Sequence, residues 1–249
     1  MRSARQSLME SSSQAKVGPR GGDCTLVIMA KAPKPGTVKT RLAHCLPPPA
    51  VTALYRCLLD DTMTLAQSVG NVEVAIMCPP SDVDDLARLA GDSVRVVAQT
   101  GEGLAAGLNS VFAHFAATGQ QRIIAFNSDS PHLPASVLQR AFEALATCDV
   151  VIGPTHDGGY YLVGAKATHP GLFNGDGMGT SSALETLLGR VRAQGLSVRL
   201  ADPFYDIDVA SDLIRLDEEL RLSPLRAPRT AAWLAQWRQV VEQLRLGEL

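Results

Sequence analysis

The stretch that decides the fold is TLVIMAKAPKPGTVKTR, residues 25–41. Its first six residues form an apolar run with β-branched side chains, which predicts a buried strand over residues 25–30. Two prolines follow and end the strand, because proline cannot donate a hydrogen bond to a neighbouring strand. The rest of the stretch is crowded with lysine and arginine, so the loop after this strand is expected to bind an anion.

Strand-length apolar runs and helix-length amphipathic runs alternate along the rest of the chain. Further strands are predicted over residues 72–77, 94–97, 122–126, 150–153, 160–164 and 196–200. A helix is predicted to open at the prolines of residues 47–49, with Leu54, Leu58, Met63 and Leu65 on or near one apolar face. Further helices are predicted over residues 81–90, 104–117, 135–146, 181–193 and 209–222. This alternation predicts an α/β fold with a mostly parallel central sheet and helices on both faces. The strand over 160–164 follows its predecessor after only an Asp-Gly-Gly turn, so we expect it to be antiparallel or to lie off the sheet. Ser81 is the expected N-cap of the helix over 81–90.

The expected domain boundaries follow changes in composition. Residues 1–23 are rich in Ser, Gly, Arg and Gln and lack an apolar segment, which predicts a disordered leader rather than a secretory signal. Residues 24–222 are expected to form one α/β domain. Residues 223–249 carry apolar side chains at helical spacing, including Trp233 and Trp237, and predict a C-terminal helix packed on the domain or on a second subunit.

Charge and cysteine usage exclude several classes of protein. The net charge of −2 provides no basic field for nucleic acid or an anionic membrane. No apolar run reaches the roughly 20 residues of a membrane span. The five cysteines are odd in number, scattered, and without C-x-x-C spacing, so neither a zinc site nor a redox motif is indicated. Free thiols in a reducing compartment are the favoured interpretation, and we expect a cytoplasmic protein.

The basic loop is the first candidate binding site. Its cations are Lys31, Lys34, Lys39 and Arg41. Lys39 and Arg41 could neutralise phosphate oxygens, and Gly36 would let the backbone approach a ligand. The alternative is a solvated basic loop. A P-loop of the nucleotide triphosphatases is disfavoured, because Val38 stands where that motif has a glycine.

Acidic side chains follow two later strands and predict a metal site. Asp129 comes directly after the strand over 122–126, and its alternative role is the N-cap of the next helix, for which Pro134 is the better candidate. Asp206 and Asp208 follow the strand over 196–200, and one of them could complete the metal site with Asp129. Oxygen ligands of this kind suit Mg²⁺ or Mn²⁺ bridged to substrate phosphates. Several acids beside an anionic ligand would repel it unless a cation lay between them. For Asp206 the equal alternative is a cap of the following helix.

Two further loops carry candidate contacts to substrate. The loop after the third strand contains Gln99, Gly101 and Gly103, which would allow backbone contact to a base or ribose. The candidate sugar or acceptor pocket comprises Asp157, Gly158, Gly159 and Tyr160. The alternative for its glycines is a plain hairpin turn. His156 could be a general base, although a lone loop histidine more often has no such role.

Four segments resemble a known family. They are AKAPKPGTVKTRL, NSDSPHLP, GPTHDGGYYLVGA and FYDIDVASDL, which begin at residues 30, 127, 153 and 204. Together they resemble a family of uncharacterised proteins with the glycosyltransferase-A fold, related to phospholactate guanylyltransferase and, more distantly, to molybdenum cofactor guanylyltransferase. The resemblance runs from about residue 25 to residue 222.

The resemblance implies a nucleotide-diphospho-sugar transferase fold with a metal-assisted site. It implies that Lys39 and Arg41 contact phosphates, that Asp129 is the metal-binding acid, and that Asp208 is a second metal ligand. Lys39 and Asp129 are then the expected catalytic residues. The chain departs from the family pattern at Asn127, where a smaller residue is usual. It departs again at residues 178–181, where many members have Trp-Ser-Thr.

The expected function is a metal-dependent transferase that uses a nucleotide sugar or a nucleoside triphosphate with a small-molecule acceptor. Glycosyl transfer is favoured, because the Asp-Gly-Gly turn suggests a shaped pocket and because some family members carry that name. The alternative is nucleotidyl transfer, guanylyltransferase-like, with release of pyrophosphate. A nucleotide-binding module without turnover is the alternative of another class. The C-terminal helix is also compatible with a homodimer.

Overall fold

The computed structural model describes residues 23–175 and 180–248. The strands are β1 (Cys24–Met29), β2 (Glu73–Cys78), β3 (Arg95–Ala98), β4 (Arg122–Asn127), β5 (Val150–Pro154), β6 (Tyr160–Ala165) and β7 (Val198–Leu200). The helices are α1 (Pro48–Ser68), α2 (Val83–Ala90), α3 (Gly103–Ala117), α4 (Ala135–Ala144), α5 (Ala183–Ala193), α6 (Ala210–Leu222), α7 (Pro228–Gln236) and α8 (Arg238–Leu246). The predicted leader, apart from residue 23, lies outside the described residues, and the division into domains stays a prediction.

The seven strands form one sheet in the order β3-β2-β1-β4-β6-β5-β7. β1 is parallel to both of its neighbours, and Val27 pairs with Ala75 of β2 and Ala125 of β4. Only β6 runs antiparallel to its neighbours, as the short turn before it predicted. The mostly parallel α/β architecture is therefore confirmed, and the carboxyl ends of β1 and β4 lie side by side.

Two apolar layers cover the sheet because successive strand side chains point to opposite faces. Leu26 and Ile28 of β1 belong to a buried cluster that includes residues of α1, α2 and α4. Val27 belongs to the cluster on the other face, with residues of α3 and α5. Helices therefore cover both faces, and the loops that carry the predicted site residues are left at the open edge where the parallel strands end.

The C-terminal segment packs on the domain as two helices, where the sequence predicted one. α7 packs along α1 and α8 packs along α6. Leu54, Leu58, Leu213 and Trp233 are buried together in this third apolar cluster. A break at Trp237 lets each short helix bury its own apolar face, which one straight helix could not do against both partners.

Across residues 23–175 and 180–248, the helices lack the combined length and apolar character that a bilayer span requires. All five cysteines are free thiols, and three of them are buried. The interpretation of the cysteines as unpaired thiols is confirmed.

Asp61 holds the start of α7 on α1, and its substitution should lower the stability of the protein. Its carboxylate is buried in α1 and accepts hydrogen bonds from the Thr230 backbone at 2.8 Å and the Thr230 hydroxyl at 2.9 Å. We predict that Asp61→Ala lowers the free energy of unfolding by about 2–4 kcal/mol, because it leaves buried donors at the start of α7 unpaired. Urea denaturation measures this loss. The control Asp60→Ala removes a 3.5 Å ion pair with Arg56 and should lower the free energy of unfolding by about 1 kcal/mol or less. An equal loss of stability in the two variants would contradict the role of Asp61 in holding α7.

His132 should make stability depend on pH. The side chain is fully buried against Phe204 and Tyr205, and neither ring nitrogen has a hydrogen-bond partner among the described residues. Burial, aided by the charges of Arg226 and Arg215, lowers the pKa of His132 to about 3. Below pH ~6.5 the imidazole of His132 therefore binds a proton in the unfolded chain but stays neutral in the native state. The free energy of unfolding consequently falls as the pH falls.

The comparison of wild type with His132→Phe isolates this effect, because every other titrating group is common to both proteins. Between pH 7.5 and pH 5 the wild type should lose about 2 kcal/mol relative to the variant. Denaturant titrations across this range measure the difference. Parallel pH profiles of the two proteins would contradict the prediction.

Candidate active site

Acids that are distant in sequence meet beyond the carboxyl ends of β1 and β4. The loops after these parallel neighbours emerge at the same edge of the sheet. The segment 204–208 is tied there by two hydrogen bonds. The Ile207 amide donates to the Asp129 carbonyl at 3.3 Å, and the Ser130 hydroxyl donates to the Tyr205 carbonyl at 2.9 Å. These bonds hold the acids of this segment beside the Asp129 loop.

Lys39 lies between two of the acids. Its ammonium donates to Oδ2 of Asp129 and to Oδ1 of Asp208, the latter at 2.8 Å, and only 5% of its side chain is exposed. Burial lowers the pKa of Lys39, but the charges of Asp129 and Asp208 outweigh burial and raise it. The backbone of Lys39 has φ +48°, a left-handed conformation that non-glycine residues adopt mainly where surrounding structure imposes it. The geometry of this loop is therefore held by a buried cation.

Asp129, Asp206 and Asp208 form a cluster that could hold a metal ion. Each offers a carboxylate oxygen, and these oxygens lie within 4.8 Å of one another. Burial raises the pKa of Asp206 to about 7; Asp129 and Asp208 add to the rise, and Lys39 opposes it. Oδ1 of Asp129 is buried without a hydrogen-bond partner among the described residues. Clustered carboxylates with an unsatisfied oxygen fit a hard divalent cation such as Mg²⁺ or Mn²⁺.

Asp206 therefore joins the acids and does not cap the following helix. Asp212 fills that role, because its Oδ2 accepts from the Asp208 amide at 3.0 Å and from the Val209 amide at 2.9 Å. A carboxylate in the first turn that reaches back in this way satisfies donors that the helix leaves unpaired. The helix-cap alternative for Asp206 is wrong.

Two cavities meet at the acid cluster. The first has a volume of about 900 Å³ and lies between the loop after β1 and the loop before α3. The second has a volume of about 550 Å³ and lies against β4, β6 and the start of α5. Arg41, Asp129 and Asp208 line both cavities. A ligand with two unlike halves could therefore place its middle at the acids.

Most of the predicted phosphate- and nucleotide-binding residues line the first cavity. They are Lys31, Lys39, Arg41, Gln99, Gly101 and Gly103. The Gln99 amide donates to the carbonyls of Gly101 and Gly103, at 3.0 and 3.3 Å, so this side chain shapes its own loop. Both glycines have positive φ, which explains why glycine is needed at these two positions.

Lys34 and Gly36, also predicted to bind phosphate, line neither of these two cavities. The Lys34 ammonium lies 2.7 Å from Asp82 and 3.1 Å from Asp85, which raises its pKa and ties the loop to α2. Asp82 also accepts from the Ala32 amide at 2.9 Å and occupies the N-cap position before α2 that was predicted for Ser81. Gly36 adopts φ +75° in a turn, so the chain path explains it without a ligand.

Three of the four residues predicted to form the sugar or acceptor pocket line the second cavity. Asp157, Gly159 and Tyr160 line the second cavity, but Gly158 does not. Gly158 has φ +89°, and a side chain there would bring Cβ to 1.9 Å from the Ser181 carbonyl, so packing against the start of α5 explains this glycine. A hydrogen bond from Thr155 lowers the pKa of Asp157. His156 lines neither cavity, and residues 178 and 179 lie outside the described residues.

Sequence reasoning missed the side chains of α1 that support the Asp129 loop. The Tyr55 hydroxyl accepts from the Lys31 amide at 3.1 Å and lies 3.0 Å from the Ser128 hydroxyl. Thr62 donates to the Ser128 carbonyl at 3.1 Å. Both side chains lie among the apolar positions of α1, so helical periodicity assigns them to the core, and the sequence carries no signal of their polar contacts.

The chain is similar to one described protein family over part of its length. A family described as uncharacterised and conserved in bacteria (DUF2064) matches residues 62–180. This range includes Asp129 and the turn at residues 157–159. No curated protein matches the sequence.

Several solved structures share the fold over most of this chain. A candidate nucleotide-diphospho-sugar transferase from Desulfovibrio desulfuricans G20 is 27% identical, with a TM-score of 0.82 over 89% of this chain and 97% of that chain. A nucleotidyl transferase from Methanothermobacter thermautotroptrophicus is 22% identical, with a TM-score of 0.55 over 81% of this chain and 99% of that one. The 4-diphosphocytidyl-2C-methyl-D-erythritol synthase of Anaerococcus prevotii DSM 20548 is 14% identical, with a TM-score of 0.53 over 81% and 97%. The chain therefore has the fold of nucleotide-diphospho-sugar transferases and nucleotidyltransferases. The relationship to phospholactate guanylyltransferase and molybdenum cofactor guanylyltransferase stays a prediction from the sequence.

Removal of the Lys39 ammonium should destabilise the metal-free protein and increase its response to metal. We predict that Lys39→Met lowers the free energy of unfolding by about 2–4 kcal/mol, because it leaves clustered carboxylates without their buried cation. The exposure of Asp208, 43% of its side chain, keeps this loss below that of a fully buried pair. Added Mn²⁺ should stabilise the variant more than the wild type, because the ammonium no longer competes for the same oxygens.

Denaturant titrations with and without 1 mM MnCl₂ measure both effects. Lys34→Met is the matched control, since Lys34 pairs with acids of α2 and not with the cluster. An equal Mn²⁺ response in the wild type and Lys39→Met would contradict a metal site at these acids.

Proposed function

We propose that this protein is a metal-dependent glycosyltransferase that moves a sugar from a nucleotide-diphospho-sugar to a small acceptor. The observation that carries the proposal is the junction of two cavities at Arg41, Asp129 and Asp208. In such a donor the diphosphate lies between the nucleoside and the sugar. A site with cations and acids between two cavities therefore matches the order of groups in the donor.

The first cavity suits the nucleoside and its phosphates. Its volume of about 900 Å³ lies within the range of small-molecule sites. Lys31, Lys39 and Arg41 bring positive charge to the lining. Arg41 is mostly exposed and lies 3.7 Å from Asp208, so it can turn toward a phosphate at the junction.

Asp129, Asp206 and Asp208 would hold Mg²⁺ or Mn²⁺. The bound ion would supply positive charge that stabilises the diphosphate leaving group. Lys39 and Arg41 would bind the same phosphates, orient them, and share the charge that develops as the bond to the sugar breaks. The chemistry is thus mainly positioning and electrostatics.

The charge of the second cavity favours glycosyl transfer over nucleotidyl transfer. Apart from the three acids assigned to the metal, its lining contains the carboxylate of Asp157, and the guanidinium of Arg41 is the cation of this lining. Carboxylates accept hydrogen bonds from neutral hydroxyl groups, as a sugar presents, and repel the phosphate of an anionic acceptor. Nucleotidyl transfer stays the second candidate, because the three cations of the first cavity could also hold a triphosphate. A cytoplasmic location stays a prediction from the sequence.

A melting screen tests the proposal. Wild-type protein with 5 mM MgCl₂ or MnCl₂ is heated with UDP-glucose or GDP-mannose, and separately with UTP or GTP. At about 100-fold excess over its dissociation constant, a ligand should stabilise the protein by about 2.7 kcal/mol. Stabilisation by a nucleotide sugar supports glycosyl transfer, and stabilisation only by a triphosphate supports the second candidate. Absence of any shift in melting temperature would contradict both glycosyl transfer and nucleotidyl transfer.

Asp129→Asn tests the role of the metal in the same screen. The substitution removes one ligand charge from the cluster, so the metal-dependent part of the shift should disappear. Asp92→Asn, at an exposed position outside both cavities, is the control and should keep the full shift. A metal-dependent shift that survives in Asp129→Asn would contradict the metal site.

A further inference from the structure

Asn127 carries a hydrogen-bond acceptor that nothing in the described fold uses. It is the last residue of β4, and its side-chain nitrogen donates to the Ser130 hydroxyl at 3.0 Å. Its side-chain oxygen is buried and has no hydrogen-bond partner among residues 23–175 and 180–248. A buried acceptor left unpaired is costly, so its retention calls for a partner.

The orientation of the Asn127 amide follows from its neighbours. The Ser130 hydroxyl has one hydrogen, which it donates to the Tyr205 carbonyl at 2.9 Å. Toward Asn127 it can therefore only accept, so the NH₂ group of Asn127 must face Ser130. The carbonyl oxygen must then face the other way, and a flipped amide is excluded by the same count of hydrogens.

Asn127 and Asp129 line the second cavity together. Oδ1 of Asp129 is also buried and unpaired within the described residues, while its Oδ2 binds Lys39. Two unpaired oxygen acceptors thus lie two residues apart at the junction of the cavities. The Asp129 oxygen is assigned to the metal, which leaves the Asn127 oxygen; a hydroxyl group can donate to it, whereas an ionised phosphate oxygen, itself an acceptor, cannot.

We propose that Oδ1 of Asn127 accepts a hydrogen bond from a hydroxyl group of the sugar being transferred, which makes Asn127 a specificity-determining residue. This inference rests on the proposed function. With the nucleoside in the first cavity and the diphosphate at Asp129, the sugar enters the second cavity at its β4 side, where Asn127 lies. The residues around Thr155 and Tyr160 line the same cavity on β6 and its preceding turn and are left for the acceptor.

Binding measurements on the full chain test the assignment. Dissociation constants are measured by calorimetry in the presence of MnCl₂ for UDP-glucose and GDP-mannose, with UDP and GDP as the matched probes without sugar. The ratio of the constants for each pair reports the contribution of the sugar. Mn²⁺ alone is titrated as well, since an amide oxygen is also a possible metal ligand.

Asn127→Ala should reduce the sugar contribution about 10-fold, the size of one hydrogen bond between uncharged groups. Affinity for UDP, GDP and Mn²⁺ should change by about 2-fold or less. Asn127→Asp cannot donate to Ser130 and so loses the same loop hydrogen bond as Asn127→Ala, but it keeps an acceptor oxygen. Most of the sugar contribution should therefore be retained in Asn127→Asp and lost in Asn127→Ala, which separates lost recognition from a disturbed loop.

Each other outcome overturns the assignment. An unchanged sugar contribution in Asn127→Ala means that the oxygen does not contact the sugar. Equal losses in the Ala and Asp variants mean that Asn127 only supports the loop, and weaker Mn²⁺ binding in Asn127→Ala makes it a metal ligand. If wild-type protein gains nothing from the sugar with any probe, the proposed function itself fails, and this inference fails with it.

Discussion

The candidate site is organised around the repulsion of three clustered carboxylates and the cation that offsets it. Asp129, Asp206 and Asp208 approach one another closely, and the ammonium of Lys39 lies between two of them. Such an arrangement is unfavourable without positive charge nearby, because burial weakens solvation of every carboxylate. Lys39 has a left-handed backbone conformation, which is consistent with a loop that must place the ammonium between Asp129 and Asp208.

The rest of the architecture holds that point in place. β1 and β4 are parallel neighbours, so their loops begin at a common edge, and two hydrogen bonds bring the segment 204–208 to the same edge. Tyr55 and Thr62 of α1 support the Asp129 loop from below. The two cavities then meet where the charge lies, and a donor with a central diphosphate matches this order. The fold thus links core packing of α1 to the geometry of the acids.

Lys34 and Gly158, two residues that the sequence assigned to the binding site, have intramolecular contacts that composition does not reveal. Lys34 was assigned to phosphate binding because it lies in a basic loop, yet it forms ion pairs with Asp82, the N-cap of α2, and with Asp85 in α2. Gly158 counted as a ligand contact, yet the Ser181 carbonyl leaves no room for a side chain there. In both cases the contacting residue lies more than 20 positions away in the sequence, so local sequence patterns do not predict the contact.

The sequence by itself determined the α/β alternation, the antiparallel β6 and the positions of Lys39, Arg41, Asp129 and Asp208 after strands. These features follow from local periodicity and from the rule that parallel strands present their carboxyl ends at one edge. Only the tertiary structure decided that Asp206 joins the acids, that the C-terminal segment is two helices, and that the Asn127 oxygen is unpaired. Each of these depends on which distant groups compete for a given hydrogen bond or apolar surface, and that competition is settled only when the chain is packed.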